Sequence, residues 1–236
     1  MKRCMWYLLL AGFGVVFLYS ALRLLGSSVS YQEAEASYQK LREKAERKLQ
    51  NGKRKIDFKK LKKINPDVIG WIYVPGTEID YPIVQGKDNK KYLHETVDGK
   101  KNPSGAIFMD YKGKKDFSAD NNVIYGHHMK NGTMFADLLK FREKAFVKKH
   151  SVIFLTTPDD TKKLRVISAY AKEANTKIPI LFSAEKERKA YLKFLWKESE
   201  TVDERNEKER IQRIYTFVTC SYEKEDYRTF VHAVEE

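Results

Sequence analysis

From residue 71 onward the chain alternates apolar and polar positions in short runs broken by Gly, Pro, Asn and Asp, the pattern of half-buried strands. Strands are expected at 71–74, 79–84, 106–109, 122–126, 151–156, 163–173, 214–220 and 228–234, with turns at Pro75-Gly76, Gly86 and 158–160. Eight short strands with a few helices predict a mostly β fold, a closed barrel or a sandwich. Two stretches are helical instead: 133–141, and a longer one at 184–199 that can run on, broken, to Arg213. Ser183 is placed to cap the longer one, with Glu185 and Glu187 favourable in its first turn. Its face of Tyr191, Leu192, Phe194, Leu195 and Trp196 reads as core.

The N-terminal part has a different pattern. Residues 5–22 carry no charge and follow Lys2 and Arg3, a length near the minimum for crossing a bilayer. The run exceeds the ~7–15 residues of a signal-peptide core and no A-x-A-like cleavage site follows, so an anchor is expected over a cleaved leader. Lys2 and Arg3 then stay cytoplasmic, although Arg23 on the far side reduces the asymmetry. This divides the chain into a cytoplasmic end (1–4), an anchor (5–25), a helical stalk and linker (26–63) and an external domain (64–236). Within the linker, helices are expected at 32–50, stopped by Asn51-Gly52, and at 58–64; Asn65-Pro66 reads as the start of another.

Charge changes the picture through its location. The formal net charge is +13, but residues 37–63 alone contribute +9 and the domain from 64 onward only +3. A nearly balanced domain argues against nucleic acid as partner. The basic block is either a solvated linker or a segment attracted to anionic headgroups or wall polymers, worth ~1 kcal/mol per cation near such a surface.

The chain has two cysteines, Cys4 at the membrane end and Cys220 in the domain, so Cys220 is expected to be a free thiol in a compartment that favours disulfides. A lone cysteine is commonly a small buried hydrophobe, but its neighbours suggest chemistry. Residues 214, 216, 218 and 220 share one strand face, as do Arg228, Phe230, His232 and Val234 on the next. A hairpin closed by 221–227 sets Cys220 opposite Arg228, with Cβ atoms ~5 Å apart. Arg228 could instead pair with Glu223, Glu225 or Asp226 at the rim.

A nucleophilic thiol, with a free pKa of ~8.5, needs a partner that favours thiolate, usually histidine. His94 and His150 occur among lysines and polar residues, and His232 lies more than ~12 Å along the strand from Arg228. His127 and His128 remain, in "NNVIYGHHMKNGTMF" (121–135), where a strand ends in Gly126. Adjacent histidines with one distant cysteine do not form the usual zinc spacing, and no phosphate-binding glycine loop occurs. No metal or cofactor is expected.

"YGHHMKNGTMF", "TFVTC" and an arginine eight residues after Cys220 resemble the signatures of the sortases, specifically class B, as do "WIYVPGTEIDYPIVQGKDNKKYL" and "SGAIFMDY". The likeness spans about residues 64–236. It implies a membrane-anchored cysteine transpeptidase of Gram-positive-type cells, with an eight-stranded β-barrel, N-terminal helices and a long helix before the cysteine strand. By position, Cys220 matches the nucleophile, His127 the histidine directly after the glycine, and Arg228 the active-site arginine; His128 is the alternative histidine. Asn89, Leu93 and Tyr125 match positions lining the substrate groove, and Ile178 matches more loosely. Phe217 and Val218 depart from the Leu and small residue that the family often has there.

The implied partners are secreted proteins with an LPxTG-like or NPxTN-like C-terminal sorting signal, cleaved through a thioester and passed to an amine of peptidoglycan. Two other functions fit the composition. A papain-like secreted protease or amidase places its cysteine before its histidine, the reverse of this order. A membrane-tethered wall-binding module would use the basic stalk and leave Cys220 inert.

Overall fold

The computed structural model describes residues 2–48, 54–201, 211–221 and 226–236. Helix α1 (Lys2–Ala45) joins the expected anchor and stalk in one continuous element. Its first half exposes Trp6, Tyr7, Phe13, Phe17 and Tyr19, whereas Tyr38, Leu41 and Ala45 in its last turns are buried in the domain core. The Tyr38 hydroxyl donates to the Gly105 carbonyl at 2.6 Å, which ties the helix to the loop before the third barrel strand. Among the described residues no helix is long and apolar enough to cross a membrane. The side chains at 5, 8, 9, 11, 24 and 25, inside the expected anchor, lie outside the described set.

The stalk helix expected to reach residue 50 ends at Ala45 instead. Strand β1 (Glu46–Lys48) pairs antiparallel with β2 (Arg54–Ile56), and the Asp57 N–H donates to the Ala45 carbonyl. The expected stop at Asn51-Gly52 falls outside the described residues. Helix α2 (Phe58–Ile64) follows, with Asp57 accepting from the Lys60 N–H as its cap and Phe58 and Leu61 buried. Contrary to the expectation of a helix start at Asn65-Pro66, Asn65 ends this helix. Its backbone N–H bonds to Leu61, and its side-chain oxygen accepts from the Asp67 N–H in a turn that leads into the barrel.

Strands β3 (Val68–Tyr73), β4 (Asp80–Val84), β5 (Ile107–Met109), β6 (Asn121–Tyr125), β7 (Val152–Thr156), β8 (Thr161–Glu173), β9 (Ile214–Ser221) and β10 (Tyr227–Glu235) close a barrel in the order β10-β8-β7-β3-β4-β5-β6-β9. These are the eight strands expected. Pairing is antiparallel except between β4 and β5 and between β6 and β9. The expected helix at 133–141 is a 3-10 helix (Ala136–Arg142). Two short helices were not expected: α3 (Lys91–His94) and α4 (Lys144–Lys149). The long helix is α5 (Glu185–Glu198); Ala184 rather than Ser183 occupies its cap position, and Ser183 donates its backbone N–H to Glu187. Residues 199–201 and 211–213 are not helical, and 202–210, where a continuation was considered, lie outside the described residues.

Strand alternation divides the core in two. Tyr215 and Phe217 of β9 and Val231 and Ala233 of β10 belong to the barrel interior, with Trp71, Phe108 and Phe135. Ile214 and Val218, Phe230 and Val234, and Val123 of β6 face outward, under Leu192 and Leu195 of α5. The outer layer buries the His232 imidazole beside the Tyr170 phenol. Thr216 spends its hydroxyl proton on Asn121 Oδ1 (2.7 Å), so its oxygen accepts from His232 Nδ1 (2.9 Å), and Nε2 faces the Tyr170 hydroxyl at 3.2 Å.

Burial lowers the His232 pKa to about 3. The unfolded chain, with an ordinary value near ~6.5, therefore takes up this proton first as pH falls. The stability this residue contributes is complete above ~6.5 and is lost on acidification toward the folded value, with a limiting slope of ~1.4 kcal/mol per pH unit. Denaturant titrations at a series of pH values should show that slope in the native chain and a shallower one in His232→Gln.

Candidate active site

Strands β9 and β10 form the expected hairpin, with Cys220 aligned opposite Arg228 and Tyr227 opposite Ser221. On its other side β9 runs parallel to β6, pairing Asn121 with Ile214 through to Tyr125 with Val218. The Gly126 N–H donates to the Val218 carbonyl at 3.1 Å, the ladder bond that closes the Tyr125–Val218 pair. Continued two places past that last pair, the same offset would set position 127 level with 220. The cysteine thus lies on the middle strand of three, with His127 at the end of one neighbour and Arg228 on the other. On β10 the alternation that sends Phe230 outward assigns Arg228 to the outer face as well.

Local chemistry explains how the histidine reaches this position. A Cβ on Gly126 would collide with the Ile107 side chain and come within 2.7 Å of Phe135, so only glycine lets the strand end pack this closely on the core. The next turn is pinned by the Phe135 N–H donating to the His127 carbonyl (2.8 Å) and by a bridge between His128 and Met134. The His127 ring is part-buried, and its Nε2 lies 2.8 Å from the Leu93 carbonyl oxygen. A carbonyl can only accept, so Nε2 carries the proton and Nδ1 is the atom left to exchange one. His94, at the end of α3, lies parallel to the ring at 6.4 Å and an interplanar angle of 28°.

Burial holds the His127 pKa below its ordinary value. The Leu93 hydrogen bond opposes this, and the charges of His94 and Arg228 add to it. Arg228 is part-buried and donates to its neighbour's carbonyl, that of Tyr227, at 3.3 Å. Of the carboxylates considered for it, Asp226 makes no ion pair with it, and Glu223 and Glu225 lie outside the described residues.

The four residues expected to line a groove make the following contacts. Leu93 supplies the carbonyl that orients His127 and packs against the interior core. Tyr125 and Ile178 both pack against the outer cluster. Asn89 donates to Asp110 Oδ2 at 2.8 Å, and the Tyr125 hydroxyl donates to the same oxygen at 3.2 Å. Burial first, then the Asp110 charge, pushes the Tyr125 pKa up, so the phenol stays a donor. Sequence reasoning gave no role to Asp110, to His94 or to the Leu93 carbonyl. Asp110 stands within "SGAIFMDY", but only tertiary contact reveals its partners. Among the described residues no group of three or more His, Cys, Asp or Glu side chains is arranged to hold a metal ion.

A family model described as the sortase domain matches residues 72–236. The chain belongs to the sortase family. Sortase B of Listeria monocytogenes is 46% identical over 100 residues, covering 42% of this chain and 41% of that protein. Sortase B of Staphylococcus aureus is 30% identical over 158 residues, covering 66% and 65%. The matched stretches are thus less than two thirds of either relative's length. Among solved structures, a Staphylococcus aureus sortase B–substrate complex superposes with a TM-score of 0.76 at 27% identity, covering 88% of this chain and 98% of that one. The similarity to solved sortase B structures extends to the eight-stranded barrel itself.

In this sortase the imidazole is held by a backbone carbonyl, so its tautomer is fixed by the fold. Nitrogen-15 NMR at neutral pH should show His127 as the neutral Nε2–H form, titrating below the ordinary ~6.5. Titration at or above that value, or an Nδ1–H tautomer, would contradict the geometry.

Proposed function

We propose that this sortase is a cysteine transpeptidase that cleaves a C-terminal sorting signal and joins the released carboxyl end of a secreted protein to an amine of peptidoglycan. What supports the reading is the β9–β10 ladder that sets Arg228 opposite Cys220, together with the β6–β9 offset that, continued past Tyr125, sets position 127 level with 220. The likeness to a substrate-bound Staphylococcus aureus sortase B supports a substrate of the same class. The uncharged stretch 5–22 and its exposed aromatic side chains support a membrane anchor, with the domain outside a Gram-positive-type cell.

In this reading Cys220, as thiolate, attacks the carbonyl carbon of the scissile residue, a threonine in an LPxTG-like or NPxTN-like signal. The oxyanion that develops is met by the fixed charge and planar fork of Arg228. As the C–N bond breaks, His127 gives its Nδ1 proton to the leaving amine, and a thioester remains. An amine of a peptidoglycan stem or cross-bridge precursor then attacks the thioester. His127 Nδ1 accepts the proton, the C–S bond breaks and the thiolate is restored.

The depressed His127 pKa has a kinetic consequence. The reactive form needs thiolate and imidazolium together, so its fraction is small and the acid limb of the kcat/KM profile follows the histidine. That limb should lie below ~6.5. An acid limb above the ordinary histidine value would contradict the reading.

A panel of sorting-signal peptides, incubated with the full chain and examined by mass spectrometry, tests the proposal. A thioester on Cys220 is expected, with transfer product when an amine is added and hydrolysis product when it is not. Cys220→Ala should fold and form neither. His127→Ala should lose at least ~10²-fold in rate, whereas His128→Ala should stay within a few-fold; the reverse order would reassign the base. Arg228→Lys should lose activity because it keeps the charge without the fork. Hydrolysis alone at every amine concentration would favour a protease.

A further inference from the structure

We infer that Asp110 is a positioning residue for peptide binding, acting by fixing the polarity of the groove wall through Asn89 and Tyr125. The inference rests on the transpeptidase reading and extends it to a residue that neither strand pattern nor the catalytic trio singles out.

The carboxylate is buried, directly after β5, and its backbone is held from several sides. Its N–H donates to the Val123 carbonyl, and its own carbonyl accepts from the buried Gln85 side chain, which also donates to Gly113. Oδ1 accepts from the Lys112 N–H at 2.9 Å. Oδ2 is thereby aimed at two side chains, the Asn89 amide at 2.8 Å and the Tyr125 hydroxyl at 3.2 Å. A carboxylate can only accept, so both must donate to it.

Asn89 is further constrained at its oxygen, which accepts from the Tyr111 N–H at 3.0 Å. An acceptor facing one end of the amide and a donor facing the other leave a single orientation. The remaining Nδ2 hydrogen has no partner among the described residues. Tyr125, two positions before His127 on β6, is held by the same oxygen and packs on Phe108 at 5.4 Å. The wall next to the catalytic histidine therefore offers an N–H donor of fixed direction, and its complement in a bound peptide is a carbonyl oxygen. Without Asp110 the amide could turn over and present its oxygen to that carbonyl instead.

The test is a comparison of kinetic constants in the full chain, with the sorting-signal peptide that the native enzyme converts best. Asp110→Asn keeps the shape and the bond to Lys112 but turns an N–H₂ toward two donors. KM is expected to rise at least ~10-fold while kcat stays within ~2-fold and the acid limb of the pH profile stays in place, since the histidine is untouched. A merely structural role would lower the unfolding midpoint and active fraction without this split. In an Asn89→Ala/Tyr125→Phe background, Asp110→Asn should change KM by less than ~2-fold, because the residues through which it acts are gone.

Should Asp110→Asn fail to fold, Asn89→Asp sets a second carboxylate against the first. Its KM, relative to native, should then climb as pH is raised from about 5 to about 8 and the shared proton is lost. An unchanged KM in Asp110→Asn, full additivity in the double background, or a pH-independent ratio in Asn89→Asp overturns the inference. Failure of the native chain to convert any peptide would instead overturn the transpeptidase reading, so the two failures are distinguishable.

Discussion

The parallel pairing of β6 with β9 is the constraint on which the site depends. These strands are 93 residues apart in register, and parallel neighbours need a long crossover, supplied here by the 3-10 helix, α4, β7, β8 and α5. Once the barrel closes, the register cannot slip by one residue without sending Ile214, Thr216 and Val218 inward and Tyr215 and Phe217 outward. The large interior ring of Phe217, edge-on to Phe135, and the outer Asn121–Thr216–His232 network each prohibit that slip. The packing of both faces therefore fixes the register of β6 against β9.

The histidine itself is set by smaller contacts that act on this frame. Gly126 is required by the Ile107 and Phe135 side chains, and the backbone bond from Phe135 turns the chain just after it. The Leu93 carbonyl then selects the tautomer, and burial keeps the ring mainly neutral. Each of these contacts is contributed by a segment remote in sequence, which is how a ring of ordinary reactivity acquires one working nitrogen. The polar wall follows the same logic: Asp110 is immobilised by main-chain bonds and by Gln85 before it orients Asn89 and Tyr125.

What the chain discloses in advance follows the range of the interactions. All eight barrel strands were legible, because each combines β-branched or aromatic residues with clear turn signals, and Cys220 and Arg228 were legible as a pair because a hairpin is a local object. The β1–β2 hairpin was not, since neither "ERK" nor "RKI" carries an alternating apolar face: the first reads as the end of a charged helix and the second as linker. Asn65 was misassigned because an asparagine that closes a turn on the N–H two residues ahead has the same signature as a helix cap. Ser183 misled in a similar way, one residue too early. Short α3 and α4 lack the length for a periodic pattern. The roles of Leu93 and Asp110 were illegible for a stronger reason: one is a backbone carbonyl, and the other acts on residues from two other segments.

The central claim is that β6 delivers His127, and not His128, to the side of Cys220. Adjacent strands stand ~4.8 Å apart, within the ~4.4–6.8 Å between Cα atoms that a disulfide can span. In a chain carrying Cys4→Ser, mild oxidation of His127→Cys should therefore give a disulfide with Cys220, identified by mass spectrometry of the linked peptides, whereas His128→Cys should give none. Rapid linkage through position 128 with none through 127 would contradict the register on which the site is built.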